Sequence, residues 1–204
     1  MSTNLTTGEV RLSYANLFEA RAINTNSEPK FSVTLLIPKS DTNTKALIDS
    51  AIAEAIQNGF TKFPLWKGIA PTQSGIPLHD GDGVRENGEP YGEECRGHWV
   101  MTASSKQKQE IVDRNVVPIL DQSQIYSGIY AHVSINFYPY HNSGKKGIGC
   151  GLGPVMKIRD GEPLGSKITA AEAFKGFAPA TINAPNIPYT PAPAVDPITG
   201  MPIV

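Results

Sequence analysis

Residues 128–140 read GIYAHVSINFYPY, and they separate into two faces when read with the two-residue period of a β-strand. One face is apolar and suits a buried core: Ile129, Ala131, Val133, Ile135 and Phe137. The other carries rings and hydrogen-bonding groups: Tyr130, His132, Ser134, Asn136, Tyr138 and Tyr140. A face of flat, polar-tipped rings is typical of a stacking surface for unpaired bases. A solvated outer strand, with tyrosines present for their strand propensity, would give the same pattern.

A β-hairpin is predicted directly after this strand. Residues 141–144 (HNSG) are turn formers, and Lys145 and Lys146 fall at the expected tip. The return strand has glycine at every second position from Gly147 to Gly153, which leaves one of its faces without side chains. Such a face allows a nucleic-acid strand to approach the backbone, or it marks a bent corner of a closing sheet. Both interpretations stay open on the sequence alone.

The charge of the chain is uneven. The whole protein has a formal net charge of -1, which argues against a polycation that coats DNA. The segment from Arg96 to Arg159 holds eight basic and three acidic residues, so its net charge is +5. A basic, tyrosine-bearing segment in a near-neutral chain indicates a local groove for phosphates, although solvated lysines on loops would contribute to the same count.

The rest of the pattern predicts the fold. Strands are expected at residues 8–14, 30–37, 98–104 and 111–120, a helix at 42–58 ended by Gly59, and a second short helix at 169–174. Residues 60–95 lack periodicity and predict a long inserted loop. We therefore expect a mainly β protein: an OB-fold-like antiparallel barrel of five or six strands with one main helix. A generic α+β sheet is the alternative. Residues 1–176 form the predicted domain, and residues 177–204, with seven prolines and one charge, a flexible tail.

No catalytic centre, metal site or cofactor is predicted. The acidic run that contains Asp80, Asp82, Glu86, Glu89, Glu93 and Glu94 could supply oxygen ligands to a nuclease metal, but a solvated loop explains it better. Cys95 and Cys150 have no metal-ligand spacing and are expected to be free thiols. No segment approaches the roughly 18 apolar residues of a membrane span, and no signal peptide is recognisable, so a soluble protein is expected.

Two stretches carry a resemblance to a known family. Residues 77–113 (PLHDGDGVRENGEPYGEECRGHWVMTASSKQKQEIVD) and 125–165 (IYSGIYAHVSINFYPYHNSGKKGIGCGLGPVMKIRDGEPLG) resemble bacteriophage single-stranded-DNA-binding proteins, long classed as a phage domain of unknown function. The resemblance extends from about Gly8 to Ala180 and is most specific at Asp80–Asp82, at Trp99–Lys106 and in the hairpin. It implies an OB barrel that binds unpaired DNA during phage replication and recombination in the cytoplasm of the bacterial host. The proline-rich tail departs from the acidic tail of some phage single-strand binders.

Residues and resemblance together predict a non-enzymatic, sequence-tolerant binder of single-stranded DNA. The bases would stack on Tyr130, Tyr138 and Tyr140, and His132 and Asn136 would line the groove. The phosphates would be contacted by Lys106, Lys108, Arg114, Lys145, Lys146, Lys157 and Arg159. Phage or host replication proteins are possible partners, as is self-association through the tail. The rival interpretation is a small phage structural or assembly protein whose tyrosine face binds protein.

Overall fold

The computed structural model describes residues 2–22, 25, 27–85, 87–142 and 144–165. Their strands are β1 (Asn4–Thr6), β2 (Val10–Arg21), β3 (Lys30–Pro38), β4 (Leu78–Asp80), β5 (His98–Ser105), β6 (Ile111–Val112), β7 (Tyr130–Asn142) and β8 (Lys145–Arg159). The α-helix α1 (Thr42–Lys62) follows β3, and short 3-10 helices lie in the loops. A compact unit ends at Gly165. The predicted helix at 169–174, the domain boundary at 176 and the tail lie outside the described residues.

Five strands form a closed ring. β2 pairs with β3, β3 with β5, β5 with β8, β8 with β7 and β7 with β2. The predicted mainly β, OB-fold-like architecture with one main helix is confirmed. One detail differs from the antiparallel expectation, because β5 and β8 run parallel, with Ser104 beside Gly151. A closed ring with an odd number of strands cannot alternate direction at every step, so at least one pairing must be parallel.

The three short strands extend the ring without entering it. β1 pairs with β7 beside the end of β2, since Leu5 lies opposite Ile135. β6 lies parallel to β8 beyond the end of β5, with Ile111 next to Val155. β4 pairs with β5 from within the segment of residues 60–95, whose lack of periodicity predicts only a loop. These three strands extend the sheet on both sides of the β7–β8 hairpin.

Helix α1 packs on the ring through one stripe. Asp41 caps its start by accepting a hydrogen bond from the Thr44 amide at 3.0 Å. Four apolar side chains of the stripe join the core that the strands enclose: Ile48, Ala51, Ile52 and Ala55. Leu47 of the same helix is exposed. In the described part of the chain, no helix combines the length and apolar character needed to cross a membrane.

The sequence predicted that Gly59 ends the helix, but α1 continues to Lys62. A Cβ on this glycine would overlap the Trp66 ring, so the residue is small to admit the buried indole. Trp66 stacks on Phe63 at a centroid distance of 5.9 Å and meets Phe60 edge-on at 6.1 Å. These three aromatic residues form a packed turn after the helix.

Two strand predictions were wrong in detail. The alternation in β2 reverses after Leu12, because a bulge between Ser13 and Asn16 buries Ser13 and exposes Tyr14, whose φ is 47°. In residues 111–120 only Ile111–Val112 is a strand. The Asp113 carboxylate accepts hydrogen bonds from the amides of Asn115 and Val117, at 2.8 and 2.9 Å, and turns the chain there.

Candidate nucleic-acid interface

The two predicted faces of β7 are present. The five apolar residues are buried, whereas the ring-bearing residues alternate with them on the outside of the ring of strands. Tyr138 and Tyr140 are exposed by 43% and 37%, and Tyr130, His132, Ser134 and Asn136 are half-buried. The period of the strand thus produces a continuous outer row of flat and polar side chains, which we call the β7 outer row.

The glycines of β8 are covered by side chains of the β7 outer row. Tyr138 lies opposite Gly149 and Tyr140 opposite Gly147 in the strand register. A Cβ on either glycine would lie 2.5 Å from the facing tyrosine, at Cζ of Tyr138 and at Oη of Tyr140. The space left by the alternating glycines is therefore filled by the protein's own rings rather than left open for a ligand against the backbone. Each ring lies across the hairpin with another side towards solvent.

Tyr138 is held in a neutral state. Burial raises the pKa of its phenol, and the neighbouring Cys150 and Tyr140 raise it further. An uncharged ring does not repel phosphate, so this position suits stacking against a nucleotide. Asn136 continues the row in the same manner, because it covers Gly151.

Tyr130 has a different environment from the two tyrosines near the tip. The Arg159 guanidinium lies 3.4 Å from the centroid of its ring and also binds Glu9, with 2.7 Å between Nη2 and Oε1. One ring face of Tyr130 is therefore occupied by a cation whose charge is shared with a carboxylate. Eight residues of strand, roughly 27 Å, separate Tyr130 from Tyr138. The two cannot act as one stacking pair.

A cleft of about 490 Å³ opens beside the β7 outer row at His132 and Ser134. Thr6 and Thr7 line it beside β1, and Glu110, Val112 and Val116 line it beside β6. We call it the His132 cleft. His132 Nδ1 lies 3.0 Å from the Thr7 carbonyl oxygen, and because a carbonyl only accepts, Nδ1 carries the proton. The imidazole is therefore fixed against β1 and not free to swing.

The predicted cations do not form one groove. Lys145 and Lys146 lie at the hairpin tip near Tyr140; Lys145 is exposed, and Lys146 donates to the Ile69 carbonyl at 2.9 Å. Lys157 and Arg159 lie at the opposite end of β8, where Lys157 pairs with Asp160 at 2.8 Å.

The three remaining cations lie elsewhere. Lys106 pairs with Glu28 at 2.6 Å, and Lys108 lies 4.7 Å from the Phe18 ring centroid. Arg114 is exposed in the turn at 113–117. Neither Arg114 nor Lys145 has an ion pair with another described residue.

The family model described as "Enterobacter phage Enc34, ssDNA-binding protein" matches residues 3–183. The chain belongs to this family. Protein p50 of Acyrthosiphon pisum secondary endosymbiont phage 1 is 30% identical over 177 residues, which are 84% of this chain and 92% of that protein. The predicted family resemblance is thereby confirmed.

Solved structures show the same fold. The single-stranded DNA-binding protein from bacteriophage Enc34 in complex with ssDNA superposes with a TM-score of 0.70 and 26% identity, covering 80% of this chain and 90% of that one. The single-stranded DNA binding protein gp2.5 of bacteriophage T7 has a TM-score of 0.58 and 14% identity over 81% of this chain and 97% of its own; at this identity it shows the fold alone.

The D-G-D motif that contributed to the resemblance has a structural role here. Asp80 and Asp82 both bind the Lys39 ammonium, at 2.5 and 2.6 Å, and Asp82 also accepts from the Gly97 amide at 2.9 Å. These hydrogen bonds lower the pKa of both carboxyls and raise that of Lys39. Among the described residues, no three His, Cys, Asp or Glu side chains are grouped so as to hold a metal ion. The motif fastens the loop before β5 to the end of β3.

Two residues near the β7 outer row were missed by sequence reasoning. Glu110 and Val116 line the His132 cleft, and Val116 has a φ of 62°, which is rare for a β-branched residue. The sequence signal for the turn that places Val116 was Asp113 and Asn115, two residues that favour turns inside a segment whose pattern predicts one strand. Trp99 packs on the core, and the ammonium groups of Lys39 and Lys45 lie 5.1 and 4.7 Å from the centroid of its ring.

Proposed function

We propose that this protein binds single-stranded DNA with little sequence preference and protects it during phage DNA replication and recombination. The observation that carries the proposal is membership of the Enc34 family together with the likeness to a member solved with ssDNA. The proposed protein is a non-enzymatic binder that acts in the cytoplasm of the bacterial host.

The β7–β8 hairpin is the proposed contact surface. Tyr138 and Tyr140 offer exposed rings that any base can stack on, which explains tolerance of sequence. Lys145 at the tip has no ion pair with a described residue and so remains available to phosphate. Lys146 and Asn136 flank these groups. The contacts assigned to Lys106, Lys108, Lys157 and Arg159 are proposed as secondary, because carboxylates or rings already engage these cations.

The test is a titration of intrinsic fluorescence with oligo-dT and mixed-sequence oligonucleotides of equal length at several salt concentrations. We expect quenching, affinities of the same order for both, and a fall of affinity as salt increases. A protein that self-associates but gives no salt-sensitive DNA complex would refute the proposal and favour an assembly protein that uses the tyrosine face for protein contacts.

A further inference from the structure

The His132 cleft lies within the β7 outer row, between Asn136 and Tyr130. We propose that it receives one base of the bound strand and that Glu110 makes this position prefer cytosine, adenine or guanine over thymine. The inference rests on the proposed function, since it assumes that a strand lies along the hairpin. It adds a position with base preference to a surface that is otherwise tolerant of sequence.

Position and size support a base as the occupant. His132 is six residues from Tyr138 on the same face, so a strand stacked on the tyrosines reaches the cleft after roughly 20 Å. The volume of about 490 Å³ is within the range of pockets that enclose small organic molecules. Val112, Val155 and Met156 provide apolar walls for the faces of a ring. A charged phosphate would gain nothing from such walls.

Glu110 gives the cleft its selectivity. It is exposed at the cleft, and its carboxylate makes no hydrogen bond or ion pair with another described residue. An ionised carboxylate only accepts hydrogen bonds and repels phosphate, so it favours a base that presents a donor. The exocyclic amines of cytosine, adenine and guanine are such donors, whereas thymine has no amine and its one donor, N3–H, lies between the O2 and O4 carbonyls, which a carboxylate repels.

His132 adds a second acceptor to the cleft. In the tautomer whose Nδ1 donates to the Thr7 carbonyl, Nε2 is left to accept. Thr7 is itself buried and its hydroxyl accepts from the Val133 amide at 3.1 Å, so the partner that orients the ring is fixed. Two acceptors, on Glu110 and His132, thus line a cleft with apolar walls.

The turn beside the cleft is strained in a way that suits a binding site. Val116 is 65% exposed and held at a φ of 62°, which costs energy for a β-branched side chain. The Asp113 carboxylate and the hydrogen bond from the Val116 amide to the Asp113 carbonyl, 3.0 Å, enforce this conformation. These hydrogen bonds keep Val116 at the cleft. Arg114 in the same turn is exposed, so a cation is available for the phosphate next to the bound base.

The test compares the affinities for oligo-dC and oligo-dT in wild type, Glu110→Ala and Glu93→Ala. We expect wild type to bind dC more tightly by about 3–10-fold, the net effect of one ordinary hydrogen bond, because water already solvates the exposed carboxylate. Glu110→Ala should bring the ratio close to one by weakening the dC complex. Glu93→Ala removes the same charge from an exposed loop residue paired with Arg96 and should leave the ratio unchanged.

The number of cytosines gives a second readout. Because Glu110 and His132 line the same cleft, which holds one base, a single dC within oligo-dT should recover most of the gain, and further cytosines should add little. A ratio that is the same in wild type and Glu110→Ala, or a gain that grows with every cytosine, would overturn the inference. If wild type binds neither oligonucleotide, the proposed function itself has failed.

Discussion

The ring of Tyr138 lies across Gly149 of the paired strand, so closely that a Cβ on the glycine would come within 2.5 Å of Cζ. The same relationship is repeated one step further towards the tip by Tyr140 and Gly147. The glycines thus serve to lay two tyrosine rings along the hairpin, and what they leave exposed is aromatic surface rather than bare backbone. This arrangement makes the two rings the first place to test for DNA contact.

Replacing Tyr138 with Ala should weaken binding of single-stranded DNA by about 1–3 kcal/mol, the effect of one base–aromatic stack. The loss should be similar for oligo-dT and mixed sequence, because every base has a flat face. Tyr138→Phe is the matched control and should bind nearly as well as wild type, since it keeps the ring. Affinity measured by fluorescence titration checks both, and an unchanged affinity in a Tyr138→Ala protein that melts normally would exclude stacking at this residue.

Replacing Gly149 with Ala should weaken DNA binding through the ring that it displaces. The new methyl group and the Tyr138 ring cannot occupy the same space, so the ring must turn away from its place on the hairpin. A double-mutant cycle isolates this cause: in a Tyr138→Ala background, Gly149→Ala should cost less than about 0.5 kcal/mol of binding energy. Equal costs in both backgrounds would mean that the glycine acts independently of the tyrosine.

The outer row of β7 could be predicted because side chains on a pleated strand alternate strictly, and each residue from Ile129 to Tyr138 follows that alternation. The exposed Tyr14 could not be predicted, because one bulged residue after Leu12 changes which side chains face the core. Gly59 was mistaken for a helix stop because the sequence does not reveal that Trp66 packs against it.

The aromatic residues of the site could be predicted from the sequence, but the ion pairs of its cations could not. Which cations stay available depends on carboxylates distant in sequence, such as Glu9 beside Arg159 and Glu28 beside Lys106. The His132 cleft depends on the pairing of β1 with β7 and on the turn at Asp113, and neither follows from local periodicity. Pairing across the sheet and the hydrogen bonds of the Asp113 side chain decide these features.

Replacing Lys145 with Ala should lower affinity at low salt and flatten its salt dependence. On a single strand, the slope of log affinity against log salt should fall by roughly 0.7 for each phosphate that the protein no longer neutralises. Lys145 is the better residue to replace at the tip, because Lys146 also donates a hydrogen bond to the Ile69 carbonyl and its loss would disturb the loop. Lys106→Ala is the control, since Glu28 already neutralises that cation, and its slope should change less. An unaltered slope in Lys145→Ala would show that the tip does not touch the DNA backbone.

Ending the chain at Phe177 should leave folding and the affinity for a short oligonucleotide nearly intact. The removed residues include seven prolines, which disfavour regular structure, and one charge, Asp196, so they offer little to a phosphate backbone. Their apolar residues could dock on a neighbouring copy, so cooperative coating of long single strands should diminish. Titrations with short and long oligonucleotides separate the two effects. Loss of most of the short-oligonucleotide affinity would place the tail in the DNA groove.

The ion pairs of Lys39 predict how stability depends on acid. Lys39 lowers the pKa of the Asp80 and Asp82 carboxyls, so their contribution is present above the unfolded value near 3.9 and is lost as pH falls through the lower, folded values. Lys39→Met should therefore destabilise the protein most above about pH 4, and the difference from wild type should shrink below it. The same substitution also removes the ammonium from the Trp99 ring, but that effect is independent of pH in this range.

Urea midpoints between pH 7 and pH 3 measure the difference in stability between wild type and Lys39→Met. Lys145→Met removes the same charge from an exposed residue that has no ion pair with a described residue, and its difference from wild type should stay constant over this range. A Lys39→Met profile that runs parallel to wild type from pH 7 to pH 3 would mean that the three charges do not stabilise the fold. In that case the D-G-D loop would be held by its backbone hydrogen bonds, such as that from the Gly81 amide to the His98 carbonyl at 2.9 Å.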